Sequence, residues 1–198
     1  MRHGESTANL QREFSNSGHK HPLTEAGVEQ ARSAARGLLG LPIHRIYSSP
    51  VLRAVQTAHI LADELLAPLE ISEALREWSV GIYEGTTDLH GWELHRQVQE
   101  DWIYHHKLDS KMPSGESFTE IRERFVPFIE GLVGDGTDPD RSLVLVGHGG
   151  LYLTMLPLIF NNVDHTFAHE HGFTYAAAVI AETRADSLYC ISWCGEAL

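Results

Sequence analysis

The segment Ser142–Val146 constrains the fold more than any other part of this sequence. It is a short, continuous apolar run, followed at once by Gly-His-Gly-Gly and then by a longer apolar stretch, Leu151–Phe160. A run of this kind is typical of a strand that is buried on both faces of a sheet. The stretch behind it has the length of a buried helix. We therefore expect a central strand that leads directly into a helix.

The same order of elements recurs elsewhere in the chain. Ile43–Tyr47 is a short β-rich run, and Ser48-Ser49-Pro50 after it predicts an N-cap and an N1 proline for a helix. Thr24 predicts the start of another helix, which ends before Gly40. Further predicted elements are a helix over Leu89–His106, a helix opened by the capping box Ser117–Glu120, a turn at Gly134–Pro139, and closing strands over Tyr175–Ala181 and Ser187–Trp193. Strands that alternate with helices predict the α/β class, as a three-layer α/β/α sandwich with a mainly parallel central sheet.

Length and charge narrow the class of protein further. The 198 residues suffice for a single domain over 1–198. A net charge of −12 at pH 7, without any basic run, argues against a nucleic-acid surface and against anionic membranes. Cys190 and Cys194 are too few for a disulfide framework, and the sequence shows neither a signal peptide nor a membrane span. We therefore expect a cytoplasmic protein.

Cationic and titratable residues fall at three places where a strand is expected to lead into a helix or turn. Arg2 and His3 lie near the start, Arg53 in the first turn of the second predicted helix, and His148 at the end of the central strand. Ligands of open α/β sheets bind beyond the carboxyl ends of the strands, so these four side chains should converge. Guanidinium forks and helix N-termini both favour phosphate, and Gly149 allows a ligand to approach the backbone.

Six motifs extend this pattern over essentially the whole chain. They are Arg2-His3-Gly4-Glu5-Ser6 with Asn9, Pro22-Leu23-Thr24-Glu25-Ala26-Gly27, Ser48-Ser49-Pro50 with Arg53, Gln56, Thr57 and Ala58, Leu75-Arg76-Glu77 with Gly81 and Tyr83-Glu84-Gly85, Pro113-Ser114-Gly115-Glu116-Ser117, and Gly147-His148-Gly149. With these motifs in this order, the chain resembles the histidine phosphatase superfamily, in its cofactor-dependent phosphoglycerate mutase-like branch. The resemblance implies a phosphoglycerate mutase-like fold.

The resemblance also implies a reaction. It makes His3 the nucleophile that becomes phosphorylated and Glu77 the proton donor to the leaving group. The residues that it places around the phosphoryl group are Arg2, Asn9, Ser15, Arg53 and His148. It implies a phosphatase acting on a small phosphorylated metabolite, with no metal or organic cofactor, and it leaves a homodimer open.

Physical chemistry sets conditions on these roles. A histidine nucleophile needs one free nitrogen, with its other nitrogen held by a hydrogen-bond acceptor, so we expect a backbone carbonyl behind His3. A carboxyl can donate a proton near neutral pH only if burial or a nearby anion raises its pKa. Glu77 should therefore be buried beside the phosphate.

Several alternatives stay open at this point. Glu84 and Glu116 are rivals to Glu77, and we expect Glu116 instead to help open its helix. The reaction could be that of a phosphoglycerate mutase, although such enzymes are usually longer. A catalytically silent phospho-ligand binding protein is a third possibility, but it would be expected to lose His3, His148 or an arginine. The 13 histidines suggest a metal site only weakly, because close pairs lack the three or four ligands required.

The start of the sequence departs from the family pattern. Relatives have an apolar strand before the Arg-His-Gly motif, whereas only Met1 precedes Arg2 here. We expect residues upstream of Met1 to complete this first strand. A misassigned start or a replaced strand are the alternatives.

Overall fold

The structure, a computed structural model, describes residues 1–134, 142–184 and 187–198. The helices are α1 (Thr7–Gln11), α2 (Glu25–Leu38), α3 (Leu52–Leu65), α4 (Leu89–Ile103), α5 (Phe118–Gly134), α6 (Gly149–Met155) and α7 (His165–His171), with short 3₁₀ turns at Glu73–Leu75, Gly81–Tyr83 and Leu156–Leu158. The strands are β1 (Ile43–Ser48), β2 (Leu69–Ile71), β3 (Ser142–Val146), β4 (Val179–Arg184), β5 (Ser187–Trp193) and β6 (Glu196–Ala197).

The central sheet has helices on both faces. Its strands are parallel in the order β2-β1-β3, with Ile46 beside Val144 and Ser48 beside Val146. Ile46, Val144 and Val146 pack in one apolar cluster with residues of α2 and α3. Tyr47 and Leu145 point the other way, into the cluster formed with α5 and α6. This alternation is what a strand buried on both faces produces, and it confirms the predicted three-layer α/β/α arrangement.

Strand β3 is the last strand in the order β2-β1-β3, so β1 is the central strand of the described sheet. The prediction that β3 is central is not confirmed, because within the described residues its outer side is paired only at its carboxyl end. On the side away from β1, residues 1–3 run parallel to its end: the Gly147 amide donates to the Met1 carbonyl (3.0 Å) and the His3 amide to the Gly147 carbonyl (3.0 Å). Strands β4, β5 and β6 form a separate antiparallel sheet. Two predictions stay predictions: that upstream residues extend the pairing of residues 1–3, and that residues 1–198 form one domain.

Two helix starts match their sequence signals. The Thr24 hydroxyl accepts a hydrogen bond from the Gly27 amide (3.0 Å) and caps α2. At α5, Ser117 Oγ accepts from the Glu120 amide (3.3 Å), and Glu120 Oε2 accepts from the Ser117 amide (2.7 Å). These reciprocal bonds are the predicted capping box.

Helix α3 begins later than predicted. It starts at Leu52 with Val51 as its N-cap residue, so Ser49 and Pro50 precede the helix. The physical reason is that Ser49 Oγ lies 2.8 Å from His148 Nε2, while it accepts only a long bond from the Val51 amide (3.3 Å). Because the Ser49 hydroxyl contacts His148, a distant residue, it does not cap the helix.

Other boundaries also differ from the predictions. The closing strand expected from Tyr175 begins at Val179, because the backbones of Ala176 and Ala177 pair with His3 and Arg2 instead. Helix α6 ends at Met155 and continues as a 3₁₀ turn, and α4 ends at Ile103, three residues before its predicted end. The predicted turn at Gly134–Pro139 lies, beyond Gly134, outside the described residues.

Within the ranges that the structure describes, no helix combines the length and the hydropathy that a bilayer crossing requires.

Candidate active site

Three side chains from distant parts of the chain meet beyond the carboxyl end of β3. Arg53, in the first turn of α3, donates from Nε to His3 Nε2 (2.9 Å) and from Nη2 to His148 Nδ1 (3.1 Å). The two imidazole ring centres lie 5.2 Å apart. All three side chains are buried. The sequence placed them at strand-to-helix junctions, and the structure brings them into direct contact.

The hydrogen bonds of His3 define its tautomer. Nδ1 lies 2.6 Å from the Gly4 carbonyl oxygen, which can only accept, so Nδ1 carries the proton. Nε2 accepts from Arg53 and therefore presents a lone pair. A backbone carbonyl behind His3 is what the sequence analysis predicted. The imidazole is held with its basic nitrogen facing the arginine.

Burial and positive charge keep both histidines neutral. Burial, and then the guanidinium of Arg53, hold the pKa of His3 well below its usual value, although the Gly4 carbonyl opposes this. The same two causes lower the pKa of His148. Burial lowers the pKa of Arg53 itself to about 10, so this guanidinium stays charged at neutral pH.

Arg2 supplies a second cation next to His3. Its guanidinium lies over the ring of Tyr175, 4.2 Å from the ring centre, and donates from Nη1 to the Phe173 carbonyl. Its Nε is buried and has no hydrogen-bond partner among the described residues. A Cβ built on Gly149 would lie 3.3 Å from that nitrogen. Because Gly149 has no side chain, the Arg2 guanidinium can lie close to the first turn of α6.

Glu77 lies on the α6 side of the site. Its Oε2 accepts from the Gly150 amide (3.0 Å) and its Oε1 from the Trp78 amide (3.1 Å). Burial raises the pKa of Glu77, although these amide bonds and Arg53 oppose the shift. A buried carboxyl with a raised pKa meets the condition set for a proton donor.

The two rival carboxylates have other partners. Glu84 accepts from the amides of Asn16 and Ser17 (both 3.0 Å), so it holds the loop after Ser15. Glu116 accepts from the Ser79 amide, Arg76 and Arg124. The expectation that Glu116 helps to open α5 is wrong, because Ser117 and Glu120 form that capping box.

Asn9 and Ser15 have structural contacts of their own. Asn9 Oδ1 accepts from the Ser6 amide (3.0 Å) and hydroxyl (2.8 Å) at the start of α1. The Ser15 carbonyl accepts from Arg53 Nη1, so this residue reaches the site through its backbone. Phosphate contacts by these two side chains stay predictions.

Two residues that hold the site in place were named in the sequence motifs without a role in the site. Thr57 Oγ1 accepts from the Gly4 amide (3.1 Å) and donates to the Arg53 carbonyl (2.8 Å). It therefore ties the His3 segment to α3. The spacing of four residues between Arg53 and Thr57, on one face of a helix, is the signal that could have indicated it. The second residue is Ser49, which was assigned only to capping.

Among the residues that the structure describes, no three His, Cys, Asp or Glu side chains converge as metal ligands would.

Comparisons with known proteins relate the chain to one superfamily. The family profile described as "Histidine phosphatase superfamily (branch 1)" matches residues 1–194. The chain is 36% identical over 131 residues to a putative phosphoserine phosphatase 2 of Hydrogenobacter thermophilus, covering 65% of this chain and 61% of that protein. It is 35% identical over 107 residues to a 2,3-bisphosphoglycerate-dependent phosphoglycerate mutase of Thermoplasma acidophilum, covering 51% and 54%. The chain thus spans less than two thirds of these relatives.

A solved structure shows the same fold. A mycobacterial glucosyl-3-phosphoglycerate phosphatase in complex with VO3 superposes with a TM-score of 0.82 at 24% identity, over 98% of this chain and 96% of that one. At this identity the likeness concerns the fold alone. The profile match extends from the Arg-His-Gly motif to the last long strand. The chain therefore belongs to the histidine phosphatase superfamily, branch 1.

Proposed function

We propose that this protein hydrolyses phosphate monoesters of small metabolites through a phosphohistidine on His3. The observation that carries the proposal is the contact of Arg53 with the unprotonated nitrogens of both His3 and His148. A neutral nucleophile and a fixed cation share one buried site, which is the combination that phosphoryl transfer requires. The phosphatase name of the Hydrogenobacter relative supports the same class of reaction.

The first step forms the phosphohistidine. Arg2 and Arg53 hold the phosphoryl oxygens, and His148 joins them once its Nδ1 carries a proton. Asn9, Ser15 and Gly149 lie at the edge of the group. His3 Nε2 attacks phosphorus in line, and the phosphorus–oxygen bond to the alcohol breaks. Glu77 gives its proton to the departing oxygen, which would otherwise leave as a poor alkoxide.

The second step returns the enzyme to its starting state. Water attacks phosphorus on the side opposite His3, and Glu77 takes a proton from that water. The bond between Nε2 and phosphorus breaks, which restores neutral His3 and releases inorganic phosphate. These residues complete the cycle without a metal or an organic cofactor.

Hydrolysis is preferred to phosphoryl isomerisation. The Hydrogenobacter relative, whose match covers 65% of this chain, carries a phosphatase name, whereas the match to the Thermoplasma mutase covers 51%. Product analysis with phosphoglycerate separates the two reactions: free phosphate supports the phosphatase, and isomerised phosphoglycerate supports the mutase. We also propose a reducing, cytoplasmic location, which the free thiols of Cys190 and Cys194 support.

Substitution of the nucleophile tests the proposal. We expect His3→Ala to lower p-nitrophenyl phosphate turnover by about 10³-fold or more, because the covalent route is lost. Acid-free quenching with ³²P-labelled substrate should trap label on the wild-type chain and not on this variant. The matched control is His59→Ala, an exposed histidine of α3, which should keep both turnover and labelling.

Two outcomes would contradict the phosphatase. Unchanged turnover in His3→Ala would remove His3 from the mechanism. A wild-type protein that binds vanadate but turns over no phosphate ester would instead be a silent phospho-ligand binding protein.

A further inference from the structure

Trp78 carries a polar atom that the mechanism above does not use. Its side chain is completely buried, with 0% of its surface exposed. Its indole Nε1 has no hydrogen-bond partner among the described residues. A buried indole N–H nearly always finds an acceptor, because it loses its hydration otherwise. The unpartnered donor therefore needs an explanation.

The indole ring is held in place from several directions. His95 stacks on it, with ring centres 4.3 Å apart and an angle of 20° between the planes. Trp102 packs edge-on at 5.0 Å. The backbone of Trp78 is fixed as well, because its carbonyl accepts from Asn16 Nδ2 (2.7 Å). The ring cannot turn its N–H elsewhere without disturbing this packing.

The donor lies beside the carboxyl of Glu77. A Cβ built on Gly150 would lie 2.9 Å from Trp78 Nε1 and 2.9 Å from each oxygen of Glu77. The indole N–H and the carboxyl therefore surround the same point on the first turn of α6. Arg2 Nε, a second buried donor without a partner among the described residues, lies next to Gly149. Arg2 Nε thus lies on the side of the turn where the phosphoryl group binds, and Trp78 Nε1 lies on the side of Glu77.

We propose that Trp78 is a specificity-determining residue for the alcohol part of the substrate. Its indole N–H donates a hydrogen bond to a second oxygen of the leaving group, next to the ester oxygen that Glu77 protonates. The favoured substrates are phosphate esters of alcohols that carry a hydroxyl or a carboxylate close to the ester carbon. This assignment rests on the proposed phosphatase reaction.

The physical reason is an asymmetry in how sites discriminate. A site with a fixed buried donor rejects an analogue that lacks the matching acceptor, because the donor is then left unpaired. An apolar wall would not discriminate in this way. Trp78 therefore makes simple alkyl phosphates poor substrates, even though Glu77 and the residues that bind the phosphoryl group would accept them.

A matched pair of substrates tests the proposal. sn-Glycerol 3-phosphate and propyl phosphate have leaving groups of the same carbon length, and only the first carries further oxygens. We expect wild-type kcat/KM to favour glycerol phosphate by about tenfold or more. Trp78→Phe keeps an aromatic ring against His95 and removes the N–H. This substitution should abolish the preference, so that kcat/KM becomes about equal for the two substrates. The change should come from a lower kcat/KM on glycerol phosphate, with kcat/KM on propyl phosphate little changed.

Trp102→Phe is the control variant. Trp102 also belongs to this aromatic cluster, but its Nε1 already donates to the Ser110 carbonyl (2.7 Å). Its substitution should leave the preference between the two substrates unchanged. The proposal is overturned if Trp78→Phe keeps the preference, or if it lowers kcat/KM equally for both substrates, which would indicate a purely structural role.

Binding provides a readout that does not depend on turnover. In the His3→Ala variant, the Trp78 indole N–H resonance, assigned by its loss in His3→Ala/Trp78→Phe, should shift downfield with glycerol phosphate and not with propyl phosphate. A resonance that stays in place with both ligands overturns the proposal. If wild-type protein hydrolyses neither of these esters nor p-nitrophenyl phosphate, the phosphatase reaction fails, and this shift still decides whether Trp78 binds the alcohol.

Discussion

At the scale of single residues, one physical effect prepares both the nucleophile and the acid. Burial disfavours the charged form of any group, so it lowers the pKa of His3 and raises the pKa of Glu77. The imidazole is then neutral, and the carboxyl keeps its proton to a higher pH than in water. Arg53 strengthens the first shift and opposes the second. His3 is thereby already neutral, as the first step needs, and the equilibrium of Glu77 is shifted toward its acid form.

Substitution of the proton donor should depend on the leaving group. Glu77→Gln should lower kcat for an alkyl phosphate by about 10²–10⁴-fold, and p-nitrophenyl phosphate much less, because nitrophenolate leaves without a proton. Because the acid form is needed, wild-type kcat for the alkyl ester should fall as pH rises through the raised pKa of Glu77. The exposed Glu73→Gln serves as a control. Equal losses on both substrates would count against the donor role.

His148 should take up a proton when phosphate binds. In the structure its Nδ1 accepts from Arg53, and its pKa lies well below the usual value. A bound phosphate competes for the arginine and places negative charge near this nitrogen, which favours the protonated ring. Calorimetric titration with phosphate in buffers of different ionisation enthalpy should show proton uptake near pH 7.5. His148→Gln should reduce the uptake, because one of the groups that gain a proton is removed. A variant with the same uptake as the wild type would contradict this prediction.

At the scale of elements, the site depends on how closely α2 approaches the His3 segment. A Cβ on Gly4 would collide with the Gly27 carbonyl, and a Cβ on Gly27 would collide with the Glu5 carbonyl. The Thr24 amide also donates to the Glu5 carbonyl (3.0 Å). The start of α2 is therefore fixed against the backbone that carries His3, and two glycines make this contact possible.

Two Gly→Ala substitutions in α2 should have opposite effects. Alanine stabilises a helix interior by about 1 kcal/mol relative to glycine. Gly37 has open space around it, so Gly37→Ala should raise the free energy of unfolding by up to about that amount. Gly27→Ala should instead lower it by about 1–3 kcal/mol and reduce kcat/KM, because the backbone at Glu5 must move. Denaturant titrations and phosphatase assays of both variants test this, and two stabilised, fully active variants would disprove it.

At the scale of the whole molecule, buried neutral histidines couple stability to pH. His3, His148 and His95 all have a lowered pKa, with burial as the first cause, and for His95 the value is about 4. In the unfolded chain these rings bind protons below about pH 6.5, while in the folded protein they do not. The folded state should therefore lose stability as pH falls below about 6.5. The raised pKa of Glu77 acts in the opposite sense.

The thermal midpoint should fall measurably between pH 6.5 and pH 5. The pKa of His95 alone predicts a loss of about 1.5 kcal/mol over this interval. His95→Phe keeps a ring against Trp78 and should flatten the dependence by about this amount. Calorimetry of both proteins across the interval provides the measurement. A variant with the same pH dependence as the wild type would show that His95 is protonated in the folded protein.

The sequence by itself determined the layered α/β fold and the meeting of His3, Arg53 and His148. Strand and helix periods are local patterns, and parallel strands bring their carboxyl ends to one edge whatever the details of packing. The tertiary structure alone decided the late start of α3, the tautomer of His3 and the position of the Trp78 donor. It also decided which partners Glu77 and its rival Glu84 have. Each of these depends on contacts between residues far apart in the chain, such as Ser49 with His148 and Glu77 with Gly150. Local sequence patterns carry no information about such contacts, because they form only once the layers have packed.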